Sequence, residues 1–387
     1  MNIEEKINAA QLKFIDGCWE KFKNYYIPTI SDKNIIIYGN GIYGKFLFAA
    51  LEKIGYKEKI KYILNDFVSA PETYNGISVV KYSDIIIDEN NDIIVVGIQN
   101  ADKLLDKLKN DGHSFIIADS SQSFYQDNLM GSVYKCINMS VITDVFARIR
   151  YYYEKMIDKE DYIISLYKED ISKQIIKNRL DFYKTGDCKY IDETPISAAE
   201  YFNQEYYHIT DNEVYVDCGA YDGDSILDFI SFTDEKYDKI IGFEPDSISF
   251  EKLKNNVSKY SNITLYPYAS GKENGEVRFE ATGTLGSSVS DSKGDIVKVR
   301  KLDDLLCDER ITLIKIDVEG AELDTLKGLA KTIRTQKPKM AVCIYHLMDD
   351  IVDIPTYLNK LVPEYRFVVR QHVESILDTV LYAEAKK

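Results

Sequence analysis

The sequence predicts an α/β protein with two sheet domains joined by a helical connector, and three observations carry that prediction. Strand-like apolar runs alternate with helical ones from Asn34, and a second such series starts at Asn212. Between about residues 121 and 211 the strand signals fade and apolar residues recur at helical spacing. At 387 residues the chain is long enough for two cores, neither of which needs disulfides or a structural metal.

The elements follow in order. Leu12, Ile15, Trp19 and Phe22 stand three and four residues apart, which places them on one face of a docking helix within residues 1–29. From Asn34 the runs IIIY and IIVVG alternate with KFLFAALEKIG and ADKLLDKLKNDG, predicting a small parallel, Rossmann-like α/β module over residues 30–120. Its stretch NIIIYGNGIYGKFLFAALEKIG sets Gly39, Gly41 and Gly44 as G-x-G-x-x-G between a strand and a helix. Asp66 closes the next strand, twenty-two residues after Gly44. These four residues are a candidate second nucleotide site, for NAD or a nucleotide sugar; the alternative is a module kept for packing or dimerisation.

Residues 121–211 read as a helical connector or cap, with Phe146, Ile149, Tyr153 and Met156, then Ile171, Ile175 and Tyr183, at helical intervals. Residues 212–387 hold the second series: EVYVDCG, KIIGFEP, ITLYPYA, LIKIDVEG, MAVCIYH, YRFVVRQ and DTVLYA. The last two are close together and predict an antiparallel pair that completes the sheet.

Charge and cysteine usage narrow the function. Forty-eight basic against sixty-three acidic side chains leave a net charge of −15, which opposes binding to nucleic acid or anionic lipid. The six cysteines, at 18, 136, 188, 218, 307 and 343, form no C-x-x-C pair and no zinc spacing, as expected of reduced thiols in a cytoplasmic protein. The start MNIEEKINAAQ lacks the basic and apolar run of a secretory signal, and no stretch has the length of a membrane span.

After the strand VYV comes DCGAYDGDS, Asp217 to Ser225, then a helical run. Strand, glycine turn and helix start make a nucleotide site, because Gly219 and Gly223 let backbone N–H groups approach a ligand. Asp217, Asp222 and Asp224 crowd that turn. Like charges about 4 Å apart cost on the order of 1 kcal/mol in water and about 4 kcal/mol at an effective dielectric of 20, so a pyrophosphate is disfavoured. The ammonium and sulfonium of S-adenosylmethionine suit the same turn. Glu244, in GFEPD at the end of the next strand and twenty-one residues beyond Gly223, suits both ribose hydroxyls. Tyr221 and Ser225 in the loop, and Asp246 just after Glu244, complete this candidate set. Each acid taken singly is also explained as a helix cap or a solvated turn.

With these residues in place, the region 212–383 resembles the FkbM family of methyltransferases. The matching stretches are VDCGAYDGDS, GFEPD, YPYAS, VRKLDDLL, LIKIDVEGAELDTLKG and CIYH followed by IPTYLNKLVPEYRF. The resemblance implies a class I methyltransferase fold, a seven-stranded Rossmann-like sheet with its final strand antiparallel. It also implies S-adenosylmethionine as cofactor and O-methylation of a hydroxyl on a sugar, glycan or related small molecule. Carried over by position, Asp217, Gly219, Asp222 and Gly223 lie in the cofactor loop and Glu244 is the ribose ligand, with Tyr268, Ala269 and Ser270 near the adenine.

An alcohol must lose a proton as it takes a methyl group, and His346 in CIYH is the first candidate base. The alternative is a structural histidine. Asp317, Glu319 and Glu322 stand where the strand of IKIDVEGAE ends. They can act as base, orient a sugar or hold a divalent ion; Asp317 and Glu319 are taken as lining the site, and no metal is assigned. The front half lies outside the resemblance. A rival reading therefore gives the function to that module, as an NAD- or nucleotide-sugar-binding protein or sensor, although no Tyr-x-x-x-Lys pair stands out after its strands. The N-terminal helix and the front module are also the surfaces suspected for a homo-oligomer.

Overall fold

The apolar runs become the strands of two central sheets in a computed structural model. The structure describes all residues except 1, 31, 54, 71, 99–101, 114, 118–138, 281–287, 290–294, 374 and 386–387. The first part of the expected connector, up to residue 138, therefore lies outside the described residues. The chain divides into two compact units, Met1–Arg150 with Phe182–Lys189, and Tyr151–Asp181 with Tyr190–Lys387.

In the first unit β1 (Asn34–Tyr38), β2 (Ile60–Leu64), β3 (Glu72–Tyr74), β4 (Ile77–Val80), β5 (Asp92–Val96) and β6 (Phe115–Ile117) form one sheet in the order β3-β4-β2-β1-β5-β6. Only β3 runs antiparallel to its neighbour. Strand β1 is central, and Ile35, Ile36 and Ile37 are fully buried, as a continuous apolar run in a parallel sheet should be. The order reverses between β1 and β5, so the Gly39 turn opens at the carboxyl edge of the sheet. Gly44 packs so tightly there that a β-carbon would fall 1.8 Å from the Gly39 carbonyl oxygen.

In the first helix, Ile3–Ile30, Leu12 departs from the stripe its spacing suggested. Ile7, Ala10 and Phe14 are buried, whereas Leu12 is 66% exposed. At 100° per residue Leu12 points about 140° away from Ile7, off the buried stripe. The side chains of Ile15, Trp19 and Phe22 lie outside the described residues.

In the second unit seven strands form the sheet that carries the site: β7 (Val214–Cys218), β8 (Lys239–Phe243), β9 (Ile263–Tyr266), β14 (Leu313–Ile316), β15 (Lys339–Cys343), β16 (Tyr365–Gln371) and β17 (Thr379–Ala385). Their order is β16-β17-β15-β14-β7-β8-β9. Strand β17 is inserted between β15 and β16 and runs antiparallel to both, the seven-stranded arrangement of a class I methyltransferase. Four short strands, β10 (Ala269–Ser270), β11 (Gly275–Glu280), β12 (Ser288–Val289) and β13 (Asp295–Arg300), form a separate small sheet. They lie between β9 and β14 in the chain, and the sequence reading had not separated them out.

Tyr215, Phe229, Phe202 and Tyr382 pack among Ile226, Ile240 and Leu253 in the core of this unit. The helix Asp170–Thr185 contributes its first turns: Ser172 accepts a hydrogen bond from the Val369 N–H, and Arg370 pairs with Glu169 at 2.7 and 2.8 Å. Ile175 is buried there, while Ile171, in the opening turn, is 45% exposed and departs from the expected stripe.

Candidate active site

The chain runs outward from β7 through β8 to β9, then returns to place β14 on the other side of β7. This reversal opens a crevice at the carboxyl ends of β7 and β14, where open α/β sheets bind ligands. Most of the residues singled out from the sequence are brought to this edge.

Gly219 follows β7 at φ 86°, and a β-carbon there would fall 1.8 Å from the Asp317 carbonyl oxygen, so only glycine fits. Gly223, at φ 95°, caps the helix Asp224–Phe232. Between them Tyr221 also takes a left-handed conformation, at φ 46°, and its N–H reaches Glu244 Oε2 at 2.8 Å. The other oxygen of Glu244 accepts from the Asp246 N–H at 2.7 Å. Each Glu244 oxygen thus keeps a lone pair for a further donor. Burial pushes this carboxyl up to about 7, against the two backbone donors, a balance that a pair of hydroxyl donors would tip toward the anion.

Asp217 is fully buried. Its Oδ2 accepts from the Tyr215 hydroxyl at 2.8 Å and the Ser225 hydroxyl at 2.6 Å, so it braces the loop from within. Asp246 accepts from the Ile248 and Ser249 N–H groups and caps the helix Ser247–Val257. The Asp222 carbonyl holds Asn256, and its own carboxyl is raised by burial and by the charge of Asp224. Tyr268 continues a stack of rings, with Tyr266 at 6.0 Å and Phe243 beyond it at 5.2 Å, and Arg300 lies 5.0 Å from the Tyr268 ring. Ala269 pairs with Val299 in the small sheet, and the Ser270 hydroxyl meets that of Thr325 at 2.6 Å.

On the β14 and β15 side, His346 is 90% buried in its side chain, and its Nδ1 lies 2.8 Å from Glu322 Oε1. Glu322 is fully buried and also accepts from the Val318 and Gly320 N–H groups. This anchoring turns Nε2 toward Asp317 Oδ1 at 3.6 Å and Glu319 Oε2 at 3.5 Å. Burial opposes charge on the imidazole, but Glu322, Asp317 and Glu319 outweigh it and push His346 up to about 9. Burial, with Asp317 and Glu322 beside it, pushes Glu319 up to about 7, although His346 opposes the shift. At neutral pH the imidazole therefore carries its proton, and Glu319 is the group poised to gain or lose one.

Ligand atoms of Asp317, Glu319 and His346 lie within 4.8 Å of one another. A divalent cation would have to displace the imidazole proton to enter this set.

Two residues outside the set expected from the sequence complete the site. Lys315 lies in the middle of β14, 3% exposed, and Tyr201 donates to Asp317 Oδ2 at 3.1 Å. In the front unit, the Asp66 carboxylate accepts from the Tyr38 hydroxyl at 2.6 Å and the Tyr82 N–H at 2.9 Å, while nothing crowds Gly41. Among the described residues no helix is long and apolar enough to cross a membrane.

Comparison with known proteins adds three findings. Residues 217–369 match the model of the methyltransferase FkbM domain. A search of curated proteins gives no match. Among solved structures, the chain is similar to a methyltransferase FkbM from Methylobacillus flagellatus, at 21% identity over 98% of this chain and 99% of that one, with a TM-score of 0.56. It is also similar to an rRNA methylase from Streptococcus thermophilus, at 16% identity over 46% of this chain and 90% of that one, TM-score 0.32. A fibrillarin from Aeropyrum pernix with natively bound S-adenosyl-L-methionine matches at 12% identity, over 45% and 68% of the two chains, TM-score 0.29.

Proposed function

We propose, from the premise that residues 217–369 are a methyltransferase FkbM domain, that this methyltransferase uses S-adenosylmethionine to methylate a hydroxyl of a sugar, glycan or related small molecule. The observation that carries the reading is the contact between its two halves. The Asp317 carbonyl packs against Gly219 of the glycine turn, while the Asp317 carboxylate faces His346. A loop fitted to a sulfonium cofactor and a set of proton-handling side chains thus share one residue.

The cofactor residues fit their role through the left-handed turn at Gly219, Tyr221 and Gly223, and through the free lone pairs of Glu244. When bound, S-adenosylmethionine supplies an electrophilic methyl group. The work left to the chain is to hold an acceptor oxygen in line and to manage its proton. Asp317 and Glu319 can each accept a hydrogen bond from the acceptor hydroxyl. Because His346 is charged at neutral pH, the proton is taken by a carboxylate, with Glu319 the best matched near pH 7. His346 balances the charge and holds Asp317 and Glu319 in place. This replaces His346 as the direct base with His346 as partner of the base.

The acidic site favours neutral polyhydroxyl acceptors over phosphorylated ones. The test is incubation with methyl-labelled S-adenosylmethionine and a panel of free sugars and glycans, with product analysis by mass spectrometry. A methyl ether on a sugar oxygen is the expected product; label found only on nitrogen or carbon would overturn the assignment.

A further inference from the structure

A lysine buried in the middle of a parallel strand is costly unless its charge is answered, so the surroundings of Lys315 need an explanation. Lys315 is 3% exposed, and β14 pairs it directly with Asp217 on β7. Its ammonium donates to the Gly219 carbonyl at 2.7 Å and lies 3.3 Å from Asp217 Oδ1 and 3.9 Å from Asp317 Oδ2. Three protons thus face three acceptors. Two of these belong to the glycine loop, and the third belongs to the carboxylate that faces His346.

The surroundings keep this arrangement in place. Asp217 Oδ1 accepts no hydrogen bond among the described residues, so its charge is answered by Lys315. Tyr201 lies across the ammonium with its ring centre 5.3 Å from Nζ, and its hydroxyl holds Asp317 Oδ2. Tyr201 does this from a left-handed backbone at φ 56°, a strained conformation for a residue with a β-carbon.

We propose that Lys315 is a positioning residue: one buried ammonium serves as the common counter-ion of the glycine loop and of Asp317, and so fixes the cofactor side and the acceptor side of the site relative to each other. The proposal rests on the methyltransferase reading for the meaning of those two sides. Without the ammonium, Asp217 and Asp317 would face each other across the sheet with no cation between them, and each would weaken the other.

The test is a mutant cycle on the full chain with S-adenosylhomocysteine as the calorimetric probe, and it needs no acceptor. Lys315→Met should weaken binding by about tenfold or more, because it leaves a buried charge unpaired. In the Lys315→Met background Asp317→Asn should restore part of the lost affinity, an effect different from the one it has in the wild-type background and so a non-additive result. If Asp317→Asn has the same effect in both backgrounds, Lys315 serves the loop alone and the proposal falls.

Should Lys315→Met fail to fold, the double variant Lys315→Met/Asp317→Asn is expected to recover a cooperative thermal transition. Failure of that double variant, with recovery only in Lys315→Met/Asp217→Asn, would again overturn the shared role. A wild-type protein that gives no heat with the probe would sink the methyltransferase reading, while the thermal part of the cycle would still judge the counter-ion.

Discussion

Glu319 occupies the left-handed region at φ 52°, a conformation that a β-carbon disfavours. That geometry accompanies a carboxylate held 3.5 Å from the His346 ring, with the carboxyl pushed up to about 7 and the imidazole up to about 9. With a methyl acceptor in hand, turnover should rise with pH through about 7 as Glu319 loses its proton. It should fall again through about 9 as His346 loses the charge that orders the carboxylates. Glu319→Gln should remove the lower limb and lower turnover by about a hundredfold or more, with S-adenosylhomocysteine affinity kept. A lower limb that survives this change would assign the proton to another group. The positions of Glu244, Asp317, Glu319 and His346 were legible because strand ends are legible, and parallel strands collect their ends at one edge. Lys315 and Tyr201 were not. A single lysine inside LIKI looks like an ordinary interruption of an apolar run, and Tyr201 reaches Asp317 across 116 residues of sequence.

The glycine turn after β7 shows how an element is constrained by its neighbour. Gly219 lies so close to the Asp317 carbonyl that any side chain must push β7 and β14 apart at the site. Gly219→Ala should therefore cost about 2 kcal/mol or more in stability, through strain at positive φ and the clash together. Thermal unfolding and probe binding measured side by side would check this; a variant with the wild-type midpoint would show that the turn relaxes. Gly275→Ala, where nothing lies within 4 Å of the added carbon, is the matched control. Sequence patterning found the strands of the large sheet because each is a short apolar run next to a turn, including the antiparallel pair β16 and β17. It did not separate out the small sheet of β10 to β13, whose runs GEVRFE and DIVKVR are broken by charged residues. In the first helix it put Leu12 on the buried stripe, where Phe14 is buried and Leu12 exposed, because both are apolar and only packing decides between them.

For the whole molecule, the boundary between the two units falls inside helices, at Arg150 and again at Asp181. Glu169, Ser172 and Arg179 belong to the second unit through their bonds to Val369, Arg370 and Gln371. A fragment of residues 151–387 should consequently bind the probe within about threefold of the full chain, whereas 190–387, stripped of those contacts, should lose stability. Equal stability of the two fragments, read by thermal unfolding, would show that the contacts are dispensable. The central claim is that the crevice at the ends of β7 and β14 holds S-adenosylmethionine, and calorimetric titration with S-adenosylhomocysteine tests it most directly. Saturable binding by the full chain, lost in Glu244→Ala, is the predicted result; no binding by the wild type, or binding indifferent to Glu244→Ala, would contradict it.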